Sequence, residues 1–140
     1  VQDLTLENIS YSVTSSYVSS PFSGSTSLDN TNINLLNWIM KNNYAIRFDN
    51  VRAGGNWNLY NWNLSNVTES KNIFWNFNAN TLELTNWDMS NSTNFYSMFR
   101  NTQVNSLNIS NWIMPQNKDY VSFSLMFYNC HSLNPQQIEN

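Results

Sequence analysis

The sequence predicts a repeat solenoid, in which short parallel strands stack coil upon coil, and two observations carry this prediction. An Asn-Trp pair recurs at steps of 24, 25 and 25 residues, and a Phe-x-Asn triplet closes each unit. Two apolar residues that alternate with polar ones precede each Asn-Trp pair, which is the pattern of a short strand with one buried face. Strands that recur about every 25 residues, with no space for a hairpin return, must stack in parallel.

Each unit contains the same three kinds of position. The alternating apolar pairs are Ile33/Leu35, Trp57/Leu59, Leu82/Leu84 and Leu107/Ile109. The Asn-Trp pairs are Asn37-Trp38, Asn61-Trp62, Asn86-Trp87 and Asn111-Trp112. The closing triplets begin at Phe48, Phe74, Phe99 and Phe127. We expect four to five coils whose strands are joined by helical, 3-10 or loop returns, and the period lies in the leucine-rich-repeat range.

Asparagine makes up about a fifth of the chain, and the fold gives this excess a physical reason. Asparagine tolerates the left-handed backbone that corners require, and its side chain bonds nearby backbone. Amides at equivalent places in successive coils can also bond one another, whereas stacked carboxylates would repel. We therefore expect one asparagine ladder at the Asn-Trp pairs and a second at Asn50, Asn76, Asn101 and Asn129.

Three segments are predicted along the chain. Residues 1–32 form an N-terminal cap segment, in which the stretch LTLENI is a possible degenerate repeat. Residues 33–133 form the repeat solenoid, and residues 134–140 form a C-terminal tail. Gly54 and Gly55 lie between the first two units and are expected to form a tight corner.

The stretches LELTNWDMSNSTNFYSMFRN and LNISNWIMPQNKDYVSFSLMFYNCHSL resemble the BspA-type leucine-rich repeat surface proteins, in the subgroup with LxLSNWDxSNVTxMxxMFxxCxxL repeats. The resemblance covers residues 33–133, although the first unit lacks Ser-Asn-x-Thr and the fourth has three extra residues around Pro115. It implies a secreted or cell-surface protein, often one that acts in adhesion. It implies no catalytic residue, because the repeat motif contains none.

The composition argues against several classes of function. Only 11% of the residues are charged, the net charge is −3, and six Lys and Arg residues form no basic cluster. Nucleic-acid binding is therefore not expected. Membrane insertion is not expected either, because no run of about 18 apolar residues occurs.

No catalytic residue, metal site or cofactor is expected. Cys130 and His131 are adjacent in sequence, so their side chains rarely face each other, and Cys130 is expected to be structural. The carboxylates Asp49, Glu69, Asp88 and Asp119 are scattered over the units, and nothing in the repeat brings a pair together.

The aromatic residues divide into two groups. Trp38, Trp62, Trp87 and Trp112 recur once per coil, so we expect a core position, with a sugar-stacking stripe as the alternative. Five aromatics break the repeat register and are candidates for a surface recognition patch: Trp57, Tyr60, Trp75, Tyr96 and Tyr128. Asn-x-Ser/Thr triplets at Asn8, Asn63, Asn66, Asn91 and Asn108 are potential glycosylation sites, but such triplets also arise by chance in this composition.

These observations predict a non-enzymatic protein that acts in adhesion or recognition and binds a protein or glycan on a cell surface. The expected location is extracellular or at the cell surface, with a virion surface as the alternative. A second hypothesis is a structural assembly protein, because the open ends of a solenoid can stack on further subunits into a filament or surface layer.

Overall fold

The computed structural model describes residues 3–13, 20–25 and 27–130 of the chain and confirms the predicted repeat solenoid. Its strands within these ranges are β1 (Leu4–Glu7), β2 (Ser10–Tyr11), β3 (Asn32–Leu36), β4 (Ile39–Met40), β5 (Asn56–Asn58), β6 (Thr81–Glu83) and β7 (Ser106–Asn108). The main sheet is parallel and contains β1, β3, β5, β6 and β7 in that order, while β2 pairs with β4. Neighbouring strands of the main sheet therefore belong to successive coils.

The register of the main sheet follows the alternating apolar pairs of the sequence. Ile33 lies opposite Trp57, Trp57 opposite Leu82, and Leu82 opposite Leu107. All four side chains are buried, whereas the residues on either side of each are half-buried on the outer face. Because side chains alternate between the two faces of a strand, this register places the apolar set inside the coils.

Three further rows of parallel backbone contacts complete the coils. These rows are Ile39–Asn63–Asp88–Ile113, Tyr44–Glu69–Asn94–Ser122 and Arg52–Asn78–Gln103. Hydrogen bonds between successive coils continue along the corners between the rows. The first three repeat units are thus bonded to one another along four sides.

The returns around the closing phenylalanines are runs of turns, so of the predicted alternatives the loop return is the one that forms. Asn72, Ser97 and Leu125 occupy equivalent places before the phenylalanines and have φ angles of 62°, 53° and 55°. A left-handed residue interrupts a right-handed helix, which explains why a helical turn does not form there. In the described ranges there is no helix that is long and apolar enough to span a membrane.

The stretch LTLENI forms part of a coil of its own. Leu4 lies opposite Ile33 and Leu6 opposite Leu35, so β1 extends the main sheet by one strand. Every residue of β1 is exposed, because it is an edge strand with β3 as its neighbour in the sheet. From the following segment, Phe22 packs into the core, with its ring stacked on Phe48 at 5.6 Å.

Two columns of stacked rings form the centre of the core. The centroids in the tryptophan column are 5.1 Å apart for Trp38–Trp62, 5.0 Å for Trp62–Trp87 and 5.7 Å for Trp87–Trp112. The phenylalanine column runs from Phe48 through Phe74 and Phe99 to Phe127, with spacings of 5.3 to 5.5 Å. Each indole N–H of the first column donates to a main-chain carbonyl, as from Trp87 to Leu59 at 2.6 Å, so these buried donors are paired.

Candidate functional site

The five aromatic residues that the sequence marked for recognition do not form one patch. Trp57 lies in the core, and Tyr60 lies on the outer face of the main sheet. Trp75, Tyr96 and Tyr128 lie together on another side, where the chain turns around each closing phenylalanine.

The prediction that Trp57 is a surface residue is wrong. Trp57 lies in β5 and is 0% exposed, and its ring packs edge-on against Phe48 and Phe77. Its indole N–H donates to the Gly54 carbonyl at 2.9 Å. The alternation of Trp57 with Leu59 in the sequence indicates this inward position.

Tyr60 lies just after β5, on the outer face of the main sheet, where it is half-buried. Burial, and to a smaller extent the Glu83 carboxylate, raises the pKa of its phenol above the usual value. A tyrosine hydroxyl can act as both donor and acceptor.

Three residues at equivalent places in successive coils carry the candidate recognition surface. Trp75, Arg100 and Tyr128 each directly follow the closing phenylalanine of their unit. The Asn76 N–H donates to the Arg100 carbonyl at 2.8 Å and the Asn101 N–H to the Tyr128 carbonyl at 2.9 Å, which fixes the three in one column. Lys71 and Tyr96 form a parallel pair one turn earlier. We name these five residues the turn-side stripe.

Arg100 is the cation at the centre of the turn-side stripe. Its guanidinium lies over the Tyr128 ring at 5.0 Å from the centroid, which is a favourable cation–π geometry. Its Nε is buried and has no hydrogen-bond partner, and among the described residues the one ion pair is Arg47–Asp49. Sequence reasoning missed Arg100, although its place directly after Phe99 matches the places of Trp75 and Tyr128.

The residues of the turn-side stripe differ in their exposure to solvent. Tyr96 is 38% and Tyr128 54% exposed, whereas Trp75 and Arg100 are half-buried and Lys71 is exposed. Nearby, Arg52 donates to the Asn76 amide oxygen at 2.7 Å. Four of the six cationic side chains of the chain thus lie in the stripe or in the same returns: Arg47, Arg52, Lys71 and Arg100.

The asparagines of both predicted ladders share a left-handed backbone. All eight have φ between 57° and 63°: Asn37, Asn50, Asn61, Asn76, Asn86, Asn101, Asn111 and Asn129. Side-chain amides bond Asn86 to Asn61 at 2.9 Å and Asn61 to Asn37 at 3.2 Å. In the second column the bonded pairs are Asn76–Asn50 and Asn129–Asn101. These asparagines form the corners that position the stripe.

The residues with possible reactivity do not converge. The Cys130 thiol donates to the Phe99 carbonyl at 2.8 Å, and burial raises its pKa, so the reactive thiolate is disfavoured. His131 lies outside the described residues. Glu69 accepts a hydrogen bond from the Asn94 amide, and Asp88 accepts one from the Ser90 N–H. Both carboxylates therefore take part in hydrogen bonds within the solenoid. Among the described residues no group of three or more His, Cys, Asp or Glu could hold a metal ion.

Two of the Asn-x-Ser/Thr triplets use their amides within the fold. The Asn91 amide donates to the Ser65 carbonyl at 2.7 Å and its oxygen accepts from Lys118, while the Asn66 amide approaches the Met40 carbonyl. Both asparagines are exposed and occupy equivalent turns of successive coils.

Comparison with protein families identifies one that matches. The model of the family described as "Mycoplasma protein of unknown function, DUF285" matches residues 22–140. Because the match covers well over half of the chain, the chain belongs to this family. No curated protein and no solved structure matches the chain significantly.

Proposed function

We propose that this member of the Mycoplasma protein family is a non-enzymatic recognition module that acts in adhesion at a cell surface and contacts a protein partner through the turn-side stripe. The resemblance to BspA-type surface proteins supports the adhesion role and an extracellular location. The stripe supports a protein partner, because its residues are of the types that dominate the energetics of protein interfaces.

The observation that carries the proposal is the Arg100–Tyr128 cation–π pair flanked by Trp75 and Tyr96, in which both tyrosines are exposed. Tryptophan, tyrosine and arginine are the residue types most enriched among interface hot spots. Tyrosine and tryptophan supply large contact areas at low cost in side-chain entropy. The coil corners hold these side chains on a rigid frame, so little ordering is required when a partner binds.

The positive charge of the turn-side stripe indicates which kind of partner surface would complement it. Arg100 and Lys71 have no carboxylate partner among the described residues, whereas the chain as a whole is negative. A partner surface with acidic side chains or exposed main-chain carbonyls would complement the stripe. We therefore expect binding to weaken as the salt concentration rises.

The proposal is tested by the binding of fluorescently labelled protein to cultured animal epithelial cells, measured by flow cytometry. The variant carries Trp75→Ala, Arg100→Ala and Tyr128→Ala together. We expect it to lose at least tenfold in apparent affinity, since single hot-spot residues contribute about 2 kcal/mol or more. Treatment of the cells with protease should abolish binding of the unchanged protein.

The matched control is Ile113→Ala, which removes a side chain that is 55% exposed on another side of the coils. This variant should bind cells like the unchanged protein, and the melting temperature of each variant verifies its fold. Equal binding by the triple variant and the unchanged protein would exclude the stripe as the contact surface. Binding that survives protease treatment would exclude a protein partner.

A second candidate function is self-assembly, and the edge of the main sheet favours it. Leu4 and Leu6 in β1 are each 39% exposed, although they lie in register with buried residues of β3. An exposed parallel edge can pair with the opposite edge, β7, of another copy, and such a contact does not close on itself. Light scattering over a range of protein concentration distinguishes the two functions.

A further inference from the structure

A polar groove lies where the glycine pair enters the main sheet, on a different side of the coils from the turn-side stripe. It has a volume of about 390 Å3, and Gly54 and Gly55 lie in its wall beside Asp29. Four asparagines contribute to its lining: Asn30, Asn78, Asn80 and Asn105. The groove is therefore concave, rich in amides and without a cation in its lining.

The groove is open because a glycine occupies a place that is an asparagine in the next coils. The Asn80 N–H donates to the Gly55 carbonyl and the Asn105 N–H to the Asn80 carbonyl, each at 2.9 Å. Gly55, Asn80 and Asn105 are therefore equivalent positions. A Cβ on Gly55 would lie 2.9 Å from the Leu28 carbonyl oxygen. The absence of a side chain at Gly55 therefore allows Leu28 to approach closely and also leaves the groove open.

A row of bonded amides leads from the groove across the main sheet. Asn105 donates to Asn80 at 2.8 Å, Asn80 to Asn56 at 2.7 Å, and Asn56 to Asn32 at 3.2 Å. A second row two residues further along the strands joins Asn58 to Asn34 at 2.8 Å. A primary amide has two N–H donors and two acceptor lone pairs. Within these bonds Asn80 and Asn58 each retain at least one donor and one lone pair.

Tyr60 lies at the far end of the surface that leads from the groove along the outer face of β5. It follows Asn58 by two residues on the outer face of the main sheet, roughly 13 Å from Asn56 at 3.3 Å per residue. The described outward side chains along this path are amides, hydroxyls and the carboxylate of Glu83, with Leu36 as the apolar exception, and none is Lys or Arg. This surface repels anions and offers paired donors and acceptors beside one aromatic ring.

We propose that this surface is a binding site for an uncharged oligosaccharide, which lies along β5 with one end in the Gly54–Gly55 groove and the other against Tyr60. Each sugar hydroxyl is both a donor and an acceptor, so vicinal hydroxyls match amides that retain one of each. The aromatic ring supplies an apolar face for the C–H groups of a sugar ring. The site is independent of the turn-side stripe.

Isothermal titration calorimetry tests the site with four probes: the hexasaccharides of cellulose, maltose and N-acetylated chitin, and a heparin-derived hexasaccharide. We expect saturable binding of at least one neutral probe and none of the anionic heparin fragment. Tyr60→Ala and Asn58→Ala should each weaken that binding at least tenfold. Tyr128→Ala, in the turn-side stripe, is the matched control and should leave it unchanged.

A second measurement needs no variant and therefore does not depend on variant folding. In an NMR titration of the unchanged protein, the side-chain amide signals of Asn58 and Asn80 should shift, while that of Asn129 should not. The site is overturned if no neutral probe saturates up to about 10 mM, if the heparin fragment binds better than every neutral probe, or if Tyr60→Ala and Asn58→Ala bind unchanged.

Discussion

The corners of this molecule depend on single asparagines with a left-handed backbone. Gly is the residue that adopts this conformation without cost, but it has no side chain to bond the neighbouring coil. Asparagine provides both functions, since Asn86 has a φ of 63° and its amide donates to Asn61. This explains why the chain uses amides, rather than glycines or charges, at equivalent corners.

Substitutions at Asn86 separate the two functions. Asn86→Gly keeps the left-handed backbone and removes the amide bond, so the free energy of unfolding should fall by about 0.5–1.5 kcal/mol. Asn86→Ala also incurs the cost of a left-handed Cβ, about 1–2 kcal/mol more. Urea unfolding of the two variants measures the difference. Equal stabilities would show that the left-handed backbone is not what selects asparagine here.

Trp87 lies in the middle of the tryptophan column, contacts Phe74 of the phenylalanine column and is fully buried. Trp87→Ala should lower the free energy of unfolding by about 3–5 kcal/mol, because it removes a large core side chain and leaves a cavity. Tyr96→Ala, an exposed aromatic, is the control and should cost about 0.5 kcal/mol or less. A melting temperature for Trp87→Ala that matches the control would contradict the core position.

At the scale of elements, residues 20–25 and 27–29 are fastened to the coils at two places. Asp29 and Leu28 pack against the glycine corner, and Ser20 donates to the Asp49 carboxylate. Phe22 adds the apolar contact between them. This segment therefore belongs to the folded body of the solenoid.

Two glycines with similar backbones test the packing at the corner. A Cβ on Gly55 would lie 2.9 Å from the main-chain oxygen of Leu28, whereas a Cβ on Gly24 meets nothing within 4 Å. Both glycines have positive φ, 85° and 80°, so the backbone cost of alanine is shared. Thermal unfolding should show Gly55→Ala to be less stable than Gly24→Ala by about 1–3 kcal/mol. Equal losses would mean that residue 28 does not pack on this corner.

The Asp49 carboxylate makes the contact between Ser20 and the coils dependent on pH. Burial alone would raise the pKa of Asp49, but the hydrogen bonds from Arg47 and Ser20 outweigh it and hold the pKa below 3.8. A depressed pKa means that the stabilisation is present above the unfolded value and is lost as the pH falls through the folded value.

Asp49→Asn should therefore lower the melting temperature at neutral pH and reduce its decrease on acidification below about pH 4. The control is Asp119→Asn, which removes an exposed carboxylate. Melting temperatures of both variants across the acid range provide the comparison. An identical acid profile for Asp49→Asn and the unchanged protein would refute a stabilising role of the Ser20–Asp49–Arg47 contact.

The strands and ring columns could be predicted because each position recurs in several coils, so every unit supports the same assignment. The conformation of the returns could not, because the left-handed residue is Asn72 in one coil, Ser97 in the next and Leu125 in the third, which share no sequence signal. Trp57 gives two conflicting signals, because its size resembles the off-register aromatics while its alternation with Leu59 indicates the core. Arg100 is not aromatic, so the aromatic pattern does not single it out.

The groove was harder to foresee than the stripe. Gly54 and Gly55 predicted a corner, but a concave surface requires Asn30, Asn78 and Asn105 to meet there from different coils. These residues are separated by 75 positions in the chain, and their proximity follows from the register of the coils. The register of the coils depends on the length of each corner, and the corner at Gly54–Gly55 is one residue longer than its equivalent in the next coil. No local pattern in the sequence reveals this difference.

For the whole molecule, stacking determines what the protein can do. Each coil contacts its neighbours, so the solenoid is a rigid frame that presents the turn-side stripe on one side and the amide rows on another. Among the described strands, β1 and β7 form the edges of the main sheet. The proposed recognition would use the sides of the stack, whereas assembly would use its edges.

Size-exclusion chromatography with multi-angle light scattering, over a wide range of protein concentration, separates these two uses most directly. A recognition module needs no self-association, so we expect the mass of one chain at every concentration, with isolated particles in negative-stain images. A mass that rises with concentration, or filaments and sheets in the images, would contradict the recognition function and identify the exposed edges as assembly surfaces.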